Sequence, residues 1–135
     1  MLLTIKKFEK IEMKHIFLKI SGIPYGKAKS RGDINAPKTW SQAVTDQTKY
    51  LPKIQEACIM KLTFLLPPNK FPIDFPFGPD LDNLLKRFLD GLNETIFSET
   101  PGKDSCIISM TVSKAKVESD EEAGVLIEIL PVSVR

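Results

Sequence analysis

CIMKLTFLLPPNKFPIDFPFGPDLDNLLKRFLDGLN, running from Cys58 to Asn93, contains two different hydrophobic periods. In the first nine residues Cys58, Met60, Leu62, Phe64 and Leu66 alternate with their neighbours, which is the period of a strand. Pro67-Pro68-Asn69 ends it. Residues 69–79 form a loop rich in Pro and Phe. From Asp80 the period changes: Leu81, Leu84, Leu85, Phe88 and Leu92 recur at i, i+3, i+4, i+7 and i+11, the stripe a helix buries. Asn93 is the expected helix end.

The neighbouring segments extend this β–α pattern in both directions. Upstream, HIFLKI (His15 to Ile20) reads as a strand that ends at Gly22-Ile23-Pro24. The loop YGKAKSRGDINAPKTW follows, with two glycines and no apolar period. A helix is predicted from Pro37 or Thr39, since Pro is tolerated in a first turn. Trp40, Ala43, Val44 and Gln47 share its stripe, and Leu51-Pro52 ends it. Downstream, SETPGKDS is a loop with a turn at Pro101-Gly102. Two strands follow, Ile107 to Lys116 and Gly124 to Val132. The acidic loop ESDEEAG between them is expected to close a hairpin. The order β, α, β, α, β, β predicts a small single α/β (α+β) domain, a mixed four-stranded sheet with two main helices packed on it. Residues 1–12 read as an N-terminal extension and residues 13–135 as the domain, with Met13 a possible second start.

Composition narrows the function class. The 135 residues are 42% apolar and 27% charged, ordinary for a globular domain. No apolar run reaches the roughly 18 residues of a membrane span, and the N-terminus is too charged for a secretory signal. These features predict a cytoplasmic protein with no membrane partner. The net charge of +2 hides an asymmetry: ten Lys/Arg stand against four Asp/Glu in residues 1–49, and six against twelve in residues 71–135. A basic end and an acidic end suit a protein that holds both a polyanion and a cation, or simply two solvated faces. Cys58 and Cys106 match no metal spacing, so both are expected to be free buried thiols. His15 is expected to be structural or exposed, and Trp40 to belong to the core.

The chemistry concentrates in GPDLDNLLKRFLDGL. Asp80 stands at the helix entry and Asp82 two residues later. Capping and the helix dipole account for one acid there, yet two carboxylates this close repel each other. Asp82 and Lys86 are spaced i, i+4, which fits either a surface ion pair or an ammonium beside a metal site. A magnesium ion takes hard oxygen ligands and keeps several waters, so two or three carboxylates suffice. Asp104, at a strand entrance, is a candidate third.

These residues resemble a known family. DLDNLLKRFLDGL is similar to the D-x-D-N-x-x-K core of RusA-type Holliday-junction resolvases with its following hydrophobic helix. KDSCIISMTVSK, Lys103 to Lys114, resembles the family's Asp–strand–Lys segment. HIFLKISGIPYGKAKSR looks more loosely like its first strand and basic loop. The resemblance implies a RusA-like fold and a Mg²⁺-dependent endodeoxyribonuclease, with Mn²⁺ as a possible substitute. It implies that Asp80, Asp82 and Asp104 bind the metal, that Lys86 is the catalytic lysine, and that Asn83 is the adjoining motif residue. It also implies a branched-DNA substrate, the four-way junction, and a homodimer. Lys103 stands where the family has a first Asp, and the preceding loop is a few residues longer, so Glu99 is a possible alternative ligand. Lys27, Lys29, Arg31 and Lys38, with Asn83, are the candidate DNA contacts. Phe71, Phe75 and Phe77 are either a stacking surface at the junction or core and dimer contacts. The competing expectations are a nuclease acting on flaps or forks, and a non-catalytic DNA-binding module in which Asp80 only caps a helix.

Overall fold

A computed structural model describes residues 15–26, 35–70 and 78–132 of the chain. The order is β1 (Ile16–Ser21), α1 (Ala36–Thr48), β2 (Cys58–Leu66), α2 (Leu81–Asn93), β3 (Ile107–Lys116) and β4 (Gly124–Pro131). The predicted elements are present, with boundaries within three residues of those expected. The proposed extension, 1–12, lies outside the described residues.

The four strands form one mixed sheet in the order β1-β4-β2-β3. β4 runs antiparallel to both β1 and β2, while β2 and β3 are parallel. The expected β3–β4 hairpin is therefore corrected: β2 lies between the two strands. Seven residues, 117–123, connect them, more than a tight hairpin loop uses and enough to step across one intervening strand. The residue pattern agrees. Gly124–Pro131 is almost wholly apolar and sits inside the sheet, whereas ISMTVSKAK alternates with polar residues and forms an edge.

Both helices contribute to one apolar core with the sheet. Cys58, Met60, Leu62, Phe64 and Leu66 of β2 are fully buried, beside Ile16 and Ile20 of β1 and Val125, Ile127 and Ile129 of β4. Over them lie Trp40 and Val44 of α1 and Leu84, Phe88 and Leu92 of α2. Trp40 stacks on Phe88 at 6.4 Å between ring centroids, and Phe64 meets Phe88 edge-on at 5.9 Å. Both arrangements suit the ring quadrupoles. Trp40 is thus core, as expected.

The helices lie side by side and run in the same direction. Arg87 meets Ser41, Gly91 faces Val44, and the Thr95 hydroxyl lies 2.8 Å from that of Thr48, a nearly constant offset along both elements. Gly91 permits the contact, because a Cβ there would stand 2.8 Å from Val44 Cγ1. Gln47, expected on the buried stripe, is exposed instead. Its side-chain amide accepts from the Ser21 N–H and donates to the Ser21 carbonyl, each at 2.8 Å, tying α1 to the end of β1.

Candidate active site

One edge of the domain collects the start of α2 and the carboxyl ends of the parallel strands β2 and β3, with Gly26 and Lys38 beside Asn83. This is the edge where open α/β sheets place their ligands. α2 enters it at Asp80, whose backbone is extended (φ −63°, ψ 138°) and whose carbonyl accepts the first helical bond from Leu84 N–H at 3.1 Å. Asp80 occupies the cap position, but its carboxylate makes no capping hydrogen bond. Asp82 lies in the first turn, and both side chains are exposed. Two adjacent carboxylates thus face solvent at the positive end of a helix dipole, which favours negative charge there.

Cations lie along the same edge. Lys114, near the end of β3, donates from Nζ to the Pro79 carbonyl at 3.1 Å, immediately before Asp80. Parallel pairing of β2 with β3 brings it there; the sequence marks it as the Lys closing the Asp–strand–Lys segment without giving it a site role. Only a strand-pairing pattern reveals its position. Lys86, one turn along α2 from Asp82, is exposed. Among the described residues Lys49 pairs with Asp46 and His15 lies 3.3 Å from Glu128, and no ion pair ties Lys86 to Asp82. Instead Lys86 lines a groove of about 410 Å³ between α1 and α2, together with Gly26, Lys38, Asn83 and Arg87. Gly26 is the last described residue before the basic loop, and a Cβ on it would lie 3.0 Å from that of Asn83. Absence of a side chain lets the chain pass tightly over the first turn of α2. Lys70 reaches the Tyr25 ring on the same edge, 3.9 Å from its centroid, within cation–π range.

Asp104 lies elsewhere in the chain. It sits in a short 3-10 helix, Lys103–Cys106, after a turn in which Gly102 (φ 73°) and Lys103 (φ 52°) are both left-handed. Asn93 Nδ2 donates to Asp104 Oδ2 at 2.9 Å, and Asp104 N–H donates to Asn93 Oδ1 at 3.1 Å. Asn93 is the last residue of α2. The helix rise from Asp82 to Asn93 is roughly 16 Å, so Asp104 stands at the opposite end of the helix from the Asp80–Asp82 pair. Glu99 lies on that far side too, accepting from Gln55 Nε2 at 3.1 Å. Among the described residues no cluster of three acids, histidines or cysteines forms within one chain. Of the expected site residues, Asp80, Asp82, Asn83, Lys86 and Lys38 come together at one edge, and Asp104 does not join them. Lys27, Lys29 and Arg31, with Phe71, Phe75 and Phe77, lie outside the described residues.

A family profile described as Endodeoxyribonuclease RusA matches residues 29–130. This chain belongs to the RusA endodeoxyribonuclease family. The matched region takes in both helices, β2, β3 and nearly all of β4, and with them both helix ends that carry the aspartates. RusA membership makes the chain a nuclease that hydrolyses DNA phosphodiester bonds, of the kind that resolves Holliday junctions. No curated protein matches the sequence significantly. No helix among the described residues is long and apolar enough to cross a membrane.

Proposed function

We propose that this RusA-family chain is a divalent-cation-dependent resolvase that cuts four-way DNA junctions by paired symmetric phosphodiester hydrolysis in recombination and repair. It would act in the cytoplasm as a homodimer. The observation that supports this best is the Asp80–Asp82 pair, two exposed carboxylates free of capping duty beside the Lys114 ammonium. Their hard oxygens fit Mg²⁺, and Mn²⁺ accepts the same donors. Asp80 and Asp82 would hold the cation, with Asp104 as the third ligand.

That third ligand has to come from a second copy. Two chains whose α2 helices run antiparallel about a twofold would set each Asp104 beside the other copy's Asp80 and Asp82. Such an assembly holds two equivalent sites, which matches two symmetric cuts. The Asn93 amide fixes the orientation of the Asp104 carboxylate, the part an outer hydrogen bond plays for a metal ligand.

When bound, the cation supplies a Lewis acid at the scissile phosphate and lowers the pKa of an adjacent water. The side chains do the rest. Lys86 is a compact ammonium with three donors, and it offsets charge building on the phosphate or the leaving oxygen. Lys114 keeps the edge electrostatically balanced where two carboxylates and a phosphate would otherwise repel. Asn83, Lys38, Lys27, Lys29 and Arg31 hold the DNA backbone through contacts that weaken as salt rises.

The test is cleavage of a synthetic four-way junction with Mg²⁺ by wild type and by Asp82→Asn. Paired nicks from the wild type, with retained binding and lost cutting in the variant, are expected. Normal cutting by the variant rejects the site. Cutting of flaps or forks with junctions spared assigns a different branched substrate.

A further inference from the structure

We infer that the groove between α1 and α2 is a track for the DNA strand leaving the active site, in which Arg87, seated by Ser41, grips a phosphate about two nucleotides from the cut. The inference rests on the nuclease reading above and extends it to residues that reading does not use.

Arg87 is half-buried on the wall of the groove. Its Nη1 donates to Ser41 Oγ at 2.9 Å, while its Nε is sealed from solvent with no hydrogen-bond partner. An arginine on a helix has an obvious partner at i+3, and here Asp90 stands there on the same groove. No Arg87–Asp90 pair is among the ion pairs recorded for the described residues. The guanidinium is turned across to α1 instead. Its planar fork still has donors to spend, since a guanidinium carries five N–H groups and no acceptor. Ser41 Oγ accepts from Arg87 and keeps its own hydrogen to donate. A hydroxyl and a guanidinium presented together match two oxygens of one phosphate.

The surroundings select a phosphodiester strand. Lys38, Lys86 and Arg87 make the upper half of the groove cationic, next to the Asp80–Asp82 pair, and Asp90 and Glu94 make the lower half acidic. A polyanion is attracted into the first half and repelled from the second, so the strand enters at the active site and leaves partway down. Arg87 lies five positions after Asp82 along α2, a rise of about 7.5 Å. DNA advances about 3.4 Å per nucleotide of one strand. Arg87 therefore sits about two nucleotides from a phosphate held at Asp82.

The experiment is equilibrium binding of a synthetic junction over a salt series, with Ca²⁺ replacing Mg²⁺ to block cutting. A neutral methylphosphonate is placed singly at one to four nucleotides on either side of the cleavage position mapped with Mg²⁺. With wild-type protein, one substitution about two nucleotides from the cut should weaken binding roughly tenfold and lower the salt slope by about 1. Arg87→Gln should show the same loss on unmodified DNA and no further loss with that methylphosphonate, with an unchanged melting temperature. Arg87→Lys should recover part of the affinity. The track is overturned if no methylphosphonate in that window weakens wild-type binding more than twofold, or if the Arg87→Gln and methylphosphonate losses simply add. The scan needs only wild-type protein, so a variant that fails to fold does not spoil the test. Wild type that cuts junctions normally while the scan is silent rejects the track alone; wild type that does not cut junctions rejects the nuclease reading beneath it.

Discussion

Asn93 clasps Asp104 with two hydrogen bonds, one from its amide nitrogen to the carboxylate and one from the Asp104 N–H to its amide oxygen, at 2.9 and 3.1 Å. The clasp fixes a carboxylate at the carboxyl end of α2, while Asp80 and Asp82 mark its beginning. A cation held by all three needs two chains. This is a stronger demand than the symmetry of the reaction, because it makes each site depend on residues of both copies.

Subunit mixing tests that demand. Asp82→Asn and Asp104→Asn should each abolish junction cutting alone. In a mixed dimer one site carries both lesions and the other carries neither. Mixing the two inactive proteins should therefore restore nicking of one strand per junction, up to about half of the dimers if exchange is random. The assay is a denaturing gel of labelled junction strands after mixing and equilibration. Absence of any restored nicking, with mixed dimers verified by mass after one variant is uniformly labelled with ¹⁵N, rejects the shared site.

The geometry explains which parts of the site were readable in the sequence. Each strand and helix announced itself, because a buried face repeats every second residue in a strand and every 3.6 in a helix. The pairing of strands did not, since it depends on partners distant in sequence. β3 and β4 are neighbours in the chain and still do not pair, because β4 is almost wholly apolar and takes an inner position. Asp104 looked free to approach Asp80 from local pattern. Once β2 and β3 are parallel and α2 connects them, a residue preceding β3 must lie at the far end of α2. The same pairing delivers Lys114 to Pro79. Arg87 was hidden for a related reason, since its partner Ser41 becomes visible only when the relative register of the two helices is known.

Close packing of those helices predicts the outcome of Gly91→Ala. The new methyl would stand 2.8 Å from Val44 Cγ1. Overpacking of this kind costs about 1–3 kcal/mol, and alanine returns about 1 kcal/mol of helix propensity. A net loss of about 1 kcal/mol is expected in urea unfolding. Val44→Ala on the same background should cost less than Val44→Ala alone, because it removes the clash. Simple additivity of the two changes would mean that the helices do not touch at this point.

Phe88 is the centre of the aromatic cluster, with Trp40 on one side and Phe64 on the other. Phe88→Ala leaves a cavity beneath both helices and should cost about 3–5 kcal/mol. Trp40 is the only tryptophan in the chain, so its fluorescence reports this site without interference. The variant should show a red-shifted native emission as water approaches the indole, together with the lower unfolding midpoint. An unshifted spectrum with stability unchanged would contradict the stacked arrangement.

The two cysteines are free, as the sequence suggests, but only Cys58 is fully buried, since Cys106 stands just before β3 at the rim of the core and stays partly exposed. The two sit close enough to influence each other. Burial, reinforced by Cys106, pushes the Cys58 thiol from its ordinary value of 9.0 up to about 12. Burial also raises Cys106. The thiolate is the reactive form, so native protein at pH 8 should react with iodoacetamide far more slowly than unfolded protein. Stability follows with a definite sign. Between pH 9 and 12 the unfolded Cys58 thiol gives up its proton while the folded one keeps it, so the folded state binds more protons and stability falls as pH rises. Below pH 9 both states are protonated and the contribution is fully present. Cys58→Ala loses packing at every pH but loses this slope. Urea unfolding from pH 8 to 10.5 should therefore show a steeper decline in wild type than in the variant, and parallel curves would mean that Cys58 titrates normally in the folded chain.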